Sequence, residues 1–409
     1  MATPKLRFKE FDNDWINTKV KDLGEFSSGG TPSKDIHDYW NGNIPWISSS
    51  DLNEESIFDI RINRFISEDA IKNSATKKIP KNSILLVSRV GVGKVALTNQ
   101  ELCTSQDFTA LTPKKDYALF IAYLMKNITP RLLDLNQGTS IKGFVREDLI
   151  SLPISLPSKA EQKKIATFLS AVDEKISQLS QKLHLLGQYK QGMMKKLFSQ
   201  QIRFKADDGS QFEEWVTKTI KELNLYISDG NYGELYPTSA QFVSHGVPFI
   251  RANNIKNLKV TNNDMRFIDE NLHQILNSGH LKTNDIIVTT RGDIGMVALV
   301  DSSHEGSNIN AQICLLRVVD QSQLSPQFLL YFLDSSFGQK QFKELQTGTA
   351  LKQLPKKSLD KIITLVPSIN EQTKIANFLS AIDHKIEVTE QQIEQAKQWK
   401  KGLLQQMFV

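Results

Sequence analysis

Cysteine is nearly absent from the 409 residues: Cys103 and Cys314 stand alone. That excludes a disulfide framework and a thiolate zinc site, and makes a reduced, cytoplasmic setting the expectation. Long apolar runs are missing too, with none near the ~20 residues that cross a bilayer. The opening MATPKLRFKEFDNDW has charges where a signal peptide would have its apolar core. Histidines are few, seven in all, and scattered singly, which offers no ligand cluster. A strong charge excess is also lacking: the net charge is +5 and the pI about 8.9, compatible with nucleic acid without requiring it. What is there is ordinary globular composition, 40% hydrophobic and 23% charged, over a length suited to roughly two to three domains.

The positive feature is an internal repeat. EQKKIATFLSAVDEKI (Glu161 to Ile176) returns 210 residues later as EQTKIANFLSAIDHKI (Glu371 to Ile386), with 12 of 16 positions identical. Looser matches keep the same order along the chain. RFKEFDNDW with KVKDL (Arg7 to Leu23) is echoed by RFKADDGSQFEEW with TIKEL (Arg203 to Leu223), and IPWISSSDL (Ile44 to Leu52) by VPFIRANNI (Val247 to Ile255). VSRVGVGKVAL (Val87 to Leu97) is echoed by TTRGDIGMVAL (Thr289 to Leu299), and GTSIK (Gly138 to Lys142) by GTALK (Gly348 to Lys352). Such a series implies tandem duplication, with the helices kept alike and the domains diverged. The expected boundaries are 1–157 for the first domain, 158–199 for a helix, 200–367 for the second domain and 368–409 for its helix.

Ser158 and Ser368 each follow a proline and precede Glu161 and Glu371 by three residues. This capping-box spacing accounts for the two glutamates without a catalytic role. Apolar residues then recur on sevens: Ile165, Leu169, Val172, Ile176, Leu179, Leu183 and Leu186 in the first copy, and Ile375, Leu379, Ile382, Ile386, Ile393 and Leu403 in the second. A two-row seam of that length predicts a coiled coil, each helix about 55 Å long for ~37 residues. Lys190 and Lys400 fall at the same seam position, either to fix register or to snorkel out of it. Because each helix is joined closely to a domain only ~15 Å in radius of gyration, the two helices should run antiparallel. The expected molecule is a pair of α/β (α+β) domains on an antiparallel spacer with internal pseudo-two-fold symmetry. Pairing with another chain is left open by composition.

Two similar heads at a set spacing suit a ligand that repeats, and duplex DNA is the obvious one. At this point the chain resembles the specificity subunit of Type I restriction–modification systems. The tandem plan, the EQ…FLS…D…KI signature in both copies, and VSRVGVGKVAL with TTRGDIGMVAL carry the resemblance over essentially the whole length. It implies two target-recognition domains that each read one half of a split, asymmetric double-stranded DNA site. It also implies helices that set the spacing and dock two methyltransferase subunits, with restriction subunits added outside. The chain itself would be non-catalytic, with no cofactor of its own: S-adenosylmethionine, ATP and magnesium would belong to the partners, and no membrane is involved. A coiled-coil adaptor that binds only proteins is the alternative. The helix length implies a half-site separation of about one to one and a half turns of DNA.

Competing motifs fail on inspection. GVGKVAL lacks the leading glycine and the Ser or Thr of a P-loop, having Ser88 and Val95 there, so it reads as a turn between strands. Asp173-Glu174-Lys175 becomes Asp383-His384-Lys385 in the second copy and reads as salt-bridging on a solvated or partner-facing helix surface. For DNA contact, Ser48, Ser49, Ser50 and Asp51 in one copy match Arg251, Asn253 and Asn254 in the other. They differ between copies, as base-reading residues should, with Asx turns or helix caps as the competing explanation. Arg89 with Arg291, and Lys142 with Lys352, are kept in both and suit phosphate or structural roles, as do Lys94, Lys356 and Lys357. Trp15, Trp215, Trp46 and Phe249 are expected in the cores.

Overall fold

The computed structural model describes residues 3–134, 143–233 and 236–409. The chain divides into two compact units, residues 1–181 with 390–409, and residues 182–389.

In the first unit the strands are β1 (Ile16–Lys19), β2 (Gly24–Ser28), β3 (Ile44–Ile47), β4 (Arg64–Ile66), β5 (Lys78–Ile79), β6 (Ile84–Val87), β7 (Val95–Leu97), β8 (Leu102–Thr104), β9 (Phe108–Pro113) and β10 (Pro153–Leu156). The helices are α1 (Glu68–Lys72), α2 (Ala118–Asp134), α3 (Arg146–Ser151) and the start of α4 (Lys159–Phe198). β6, ILLV, is apolar at every position because it is buried on both faces. It sits inside an antiparallel sheet of order β2-β9-β6-β7, covered by α2. A second sheet, β4-β3-β8-β5, contains the parallel pair β3–β8.

The second unit repeats this plan with longer loops. Its strands are β11 (Val216–Thr219), β12 (Tyr226–Asp229), β13 (Phe242–Val243), β14 (Val247–Ile250), β15 (Ile255–Lys256), β16 (Lys259–Val260), β17 (Arg266–Ile268), β18 (Ile286–Thr289), β19 (Val297–Leu299), β20 (Asn308–Ile309), β21 (Ile313–Arg317) and β22 (Ile363–Val366). Its helices are α5 (Glu270–Ile275), α6 (Pro326–Asp334), α7 (Ser336–Glu344), α8 (Lys356–Leu359) and the start of α9 (Ile369–Met407). β18 takes the place of β6 in a sheet of order β12-β21-β18-β19-β16-β15, and β14 with β20 repeats the parallel pair in β13-β17-β14-β20. The turn joining β6 to β7 closes with the Val87 N–H donating to the Lys94 carbonyl at 3.1 Å, and the Thr289 N–H does the same to Met296 at 2.9 Å. GVGKVAL is therefore a strand turn.

Each unit is closed where its helix departs. β1 pairs with β10 and β11 with β22, joining the two ends of each domain in short antiparallel ladders. In the first unit, Arg7 grips Glu161 through two hydrogen bonds, Nε to Oε1 at 2.7 Å and a terminal nitrogen to Oε2 at 2.8 Å. The Trp15 indole donates to the same carboxylate at 3.4 Å. In the second unit, Arg203 donates to Glu371 at 3.1 and 2.9 Å and Trp215 at 2.9 Å. The paired carboxylate pushes both guanidinium pKa values up. This corrects the capping-box expectation. Ser158 Oγ does accept the Glu161 N–H at 3.3 Å, but the glutamate side chain is spent on the N-terminal arm instead of reaching back. The neighbouring glutamine acts in parallel. Gln162 donates to Asp116 and Pro157 and accepts from the Tyr117 N–H, while Gln372 donates to Gln323 and Pro367 and accepts from the Ser325 N–H. Glu and Gln thus tie three segments to the first turn of each helix, while Ser368 Oγ, the counterpart of Ser158 Oγ, is buried without a hydrogen-bond partner among the described residues.

The two long helices pack antiparallel, as contacts within each unit show. In the first unit Leu403, Met407 and Phe408, near the end of α9, share one core with Ile165, Leu169 and Val172, near the start of α4. In the second, Met194, Leu197 and Phe198 from the end of α4 share a core with Ile375, Leu379 and Ile382. Those cores also contain Phe120, Ile121 and Leu124 of α2, or Phe328, Leu329 and Phe332 of α6. The heptad rows are therefore not a helix–helix seam alone. Their first turns are built into the domains, because α2 and α6 lay apolar faces on the same stripe. Leu179 is also buried, while Ile176, Leu183, Leu186, Ile386 and Ile393 are half-buried.

Lys190 and Lys400 form ion pairs. Lys190 Nζ lies 2.6 Å from Asp383 Oδ1, and Lys400 Nζ lies 2.6 Å from Asp173 Oδ1. The other carboxylate oxygen accepts the Tyr331 hydroxyl at 2.8 Å and the Tyr123 hydroxyl at 2.6 Å respectively. Asp173 and Asp383 thus make the salt bridges that the sequence suggested, with Lys400 and Lys190 of the facing helix inside the packing and not on a solvated or partner-facing surface.

Candidate nucleic-acid interface

In both units a short 3-10 turn follows the central strand of the second sheet. β3 ends at Ile47, and Ser48 starts a turn over Ser49–Asp51 in which the Ser48 N–H donates to Asp51 Oδ2 at 2.7 Å. Asp51 is held in turn by Arg64 of β4, whose guanidinium also donates to Ser48 Oγ at 2.7 Å. Arg64 lies 4.6 Å over the Trp46 ring, where a buried aromatic face supports the cation. Lys94 reaches across and donates to the Ser49 carbonyl at 2.9 Å. Ser48, Ser49, Asp51 and Lys94 are thereby one braced cluster. Ser50 and the guanidinium of Arg64 are its outward groups.

The second unit inverts the charges. Arg251 stands where Ser48 stood, and its N–H donates to Asn254 Oδ1 at 3.0 Å. Its guanidinium grips Asp264, donating to the carbonyl at 2.6 Å and to Oδ2 at 2.8 Å. That pairing holds the exposed Asp264 carboxyl below the usual range. Asn253 adds a longer contact to Asp264 at 3.4 Å. Asn254 is 0% exposed, and its amide donates to the carbonyls of Thr261 and Asn263. A side chain so enclosed and satisfied has nothing left for a base, so Asn254 is corrected from candidate reader to turn-former. Ser49, buried with its carbonyl taken by Lys94, is corrected likewise.

The cations matched between the two copies group separately. Arg89 and Arg291 are exposed beside the turns that open β7 and β19. In the second unit a bridge of Arg291 with Gln353, and the Leu354 N–H donating to Thr290 at 2.9 Å, set the Gly-Thr-x-x-Lys turn beside it. Arg291 also lies 5.4 Å over Tyr232. Lys352 borders a cleft of 480 Å³ there, with Gly292, Asp334 and Gln339. In the first unit Phe144 N–H bonds Ser88 at 3.0 Å, the same junction, while Lys142 lies outside the described residues. Lys356 is paired with Asp229 at 2.8 Å, and Lys357 is exposed.

Arg64 and Asp264 were not singled out in the sequence. The signal existed: the tripeptide Arg-Phe-Ile occurs at 64–66 and again at 266–268, in β4 and its counterpart β17 of the other unit. Among the described residues there is no group of three or more His, Cys, Asp or Glu suited to a metal ion, and no helix long and apolar enough to cross a membrane.

The class that this fold defines is a duplicated α/β domain, each copy built onto the ends of two antiparallel helices, with a turn after the central strand that differs between the copies. The family model for the Type I restriction modification DNA specificity domain matches residues 12–186 and again 212–398, and the chain belongs to that family. The MjaIX specificity subunit of Methanocaldococcus jannaschii is 28% identical, covering 98% of this chain and 95% of that one. The EcoR124I/EcoR124II specificity subunit of Escherichia coli is 32% identical over 41% of this chain and 43% of its own length. The solved S subunit of a Type I restriction-modification system from M. genitalium has the same fold, with a TM-score of 0.61 at 18% identity, covering 100% of this chain and 99% of that one.

Proposed function

We propose that the chain is the DNA-reading, non-catalytic component of a Type I restriction–modification complex, each unit reading one half of a bipartite, asymmetric double-stranded site. In this reading α4 and α9 set the distance between the half-sites and dock two methyltransferase subunits, with restriction subunits joining through them. S-adenosylmethionine, ATP and magnesium are then handled by those partners. The observation that carries the reading is the contrast between scaffold and turn. The Arg–Glu–Trp clasp and the Lys–Asp–Tyr contact recur residue for residue, while the turn after the central strand carries Arg64 on Asp51 in one unit and Arg251 on Asp264 in the other. Arg64 and Arg251, each steadied by a carboxylate, are the proposed base readers, since a pre-oriented guanidinium suits guanine. Arg89, Arg291 and Lys352 are the proposed phosphate contacts.

The test is a domain exchange. Replacing residues 200–367 by the corresponding segment of another family member, then mapping modified adenines in cells carrying the partner methyltransferase, should change one half of the site and keep the other. A change in both halves, or no sequence-selective and salt-sensitive binding at all, would leave the protein-only adaptor in its place.

A further inference from the structure

The two Arg–Asp pairs have the same chemistry but show opposite members to solvent. In the first unit the Arg64 side chain is 39% exposed and that of Asp51 only 13%. The enclosed carboxylate is used up inside its turn, where Oδ2 accepts from the Ser48 N–H, the Ser48 hydroxyl and Arg64. In the second unit the order reverses: Arg251 is 25% exposed and Asp264 61%. Asp264 Oδ2 accepts from Arg251 at 2.8 Å and from Asn253 at 3.4 Å, while Oδ1 has no partner among the described residues.

The exposed carboxylate is held in place from inside the unit. Asp264 has a left-handed backbone, φ +49°, in the turn that precedes β17. The Asn254 amide holds the carbonyls of Thr261 and Asn263 just before it. Buried His304 places Nε2 3.1 Å from Asn262 Oδ1 and Nδ1 2.9 Å from Asp301 Oδ1. The Met265 N–H donates back to the Asn262 carbonyl at 3.2 Å. A side chain on so braced a loop presents its oxygens in a fixed direction, as recognition requires.

A carboxylate that served only to steady Arg251 would do so better enclosed, as Asp51 is, because an exposed negative charge is repelled by a phosphate backbone. Exposure is useful if the free oxygen meets a donor, and in the major groove that donor is a base amino group. Arg251 supplies the complementary half. One terminal nitrogen is spent on Asp264, while Nε is buried without a partner and the other terminal nitrogen has none among the described residues. The pair therefore offers donors with an acceptor beside them. A G·C pair presents the matching series, the N7 and O6 acceptors of guanine and then the N4 donor of cytosine; A·T presents acceptor, donor, acceptor.

We propose that Asp264 is a specificity-determining residue of the second unit: it accepts from the cytosine amino group of the G·C pair whose guanine Arg251 takes, so both strands of one base pair are read. The first unit, with Asp51 enclosed, reads its guanine through Arg64 alone. This rests on the DNA-reading role proposed above.

The test is competition binding by the full-length chain with its methyltransferase subunit. Arg251→Ala locates the base pair whose selection it relaxes, and Arg64→Ala locates the corresponding pair in the other half-site. At each pair cytosine is then replaced by 2-pyrimidinone, which lacks the 4-amino group and leaves the guanine intact. The wild type should bind the site altered in the second unit's half about tenfold more weakly, and the site altered in the first unit's half within about twofold. Asp264→Ala should bind the plain and altered second half-sites equally, because the amino group it ignores has no other partner. A wild type indifferent to that amino group would overturn Asp264 as a reader and leave Arg251 standing. An Asp264→Ala variant that loses as much as the wild type would place the effect in the weakened duplex, and overturns the proposal too. Relaxation by Arg251→Ala at a pair other than G·C would defeat the shared base pair. A complex that selects no sequence at all would defeat the DNA-reading role itself.

Discussion

Lys190 Nζ of α4 lies 2.6 Å from Asp383 Oδ1 of α9, and the Tyr331 hydroxyl holds the other oxygen of that carboxylate at 2.8 Å. Lys400, Asp173 and Tyr123 reproduce the arrangement in the other unit. A lysine in an apolar seam is costly unless paired, so each helix carries both the charge and the counter-charge that the antiparallel partner needs. A one-turn slip would leave both ions partly buried and unpaired. Lys190→Met should therefore cost about 1–2 kcal/mol, the low end for a pair that keeps some contact with water. Exchanging the charges, Lys190→Asp with Asp383→Lys, should recover part of it. Urea midpoints for the single and double variants give both numbers.

The clasp at the helix start gives a second expectation. Glu161→Gln removes the bidentate partner of Arg7, and Glu371→Gln that of Arg203. Each should cost about 2 kcal/mol, as for a hydrogen bond to a charged group. The loss should be local: hydrogen exchange should quicken in residues 7–15 for the first variant and in residues 203–215 for the second.

Burial pushes the thiol pKa of Cys103 up to about 11 and that of Cys314 up to about 12. Thiolate is the reactive species, so at pH 8 neither should react with a thiol reagent while the protein is folded. Two equivalents should react in denaturant. Fast reaction of either in the native protein would contradict its enclosure.

Asp334 offers a pH test. Burial pushes its carboxyl above the ordinary value of 3.8, against the attraction of Lys190. An acid whose pKa is raised on folding binds a proton in the native state that the unfolded chain has lost. Its contribution to stability therefore falls as pH rises from the ordinary carboxylate value through the raised one, and the full cost is present above the raised value. Asp334→Asn should stabilise the protein at pH values above the raised pKa, and its advantage should vanish below the ordinary carboxylate range. The difference between variant and wild-type unfolding curves across pH reads this directly.

Arg251→Ala should relax selection in the half-site read by the second unit alone, by about 1–3 kcal/mol at one base pair. Competition binding with single-base variants of the site measures it. A uniform loss across sequences would make Arg251 a phosphate contact.

The duplication and the long helices were legible because repeats and heptads depend on spacing along the chain, and the helices' direction because each is joined closely to a small domain. What the seam touches was not. Ile165 and Leu169 fit a coiled coil equally well whether α2 covers them or not, and only the tertiary structure places Phe120 against them. Glu161 misled for a related reason. The serine three residues before it satisfied a local rule, while its true partner, Arg7, is 154 residues away. Asn254 looked like a reader beside Arg251 until the fold folded its amide under the loop. Arg64 escaped notice although Arg-Phe-Ile recurs at 266–268, because the residue that grips a carboxylate at the turn of the second unit is Arg251, not the matched Arg266, and only the fold shows that exchange.

Leu403, Met407 and Phe408 complete the core of the first unit, and the Leu6 N–H bonds the Gln406 carbonyl at 2.9 Å. During synthesis, then, the domain made first is the last to close. It must wait through the whole of the second unit for three side chains from the end of α9. A ribosome that stalls in between leaves a nascent chain with an open apolar face, a form that quality control can recognise and remove before it meets DNA.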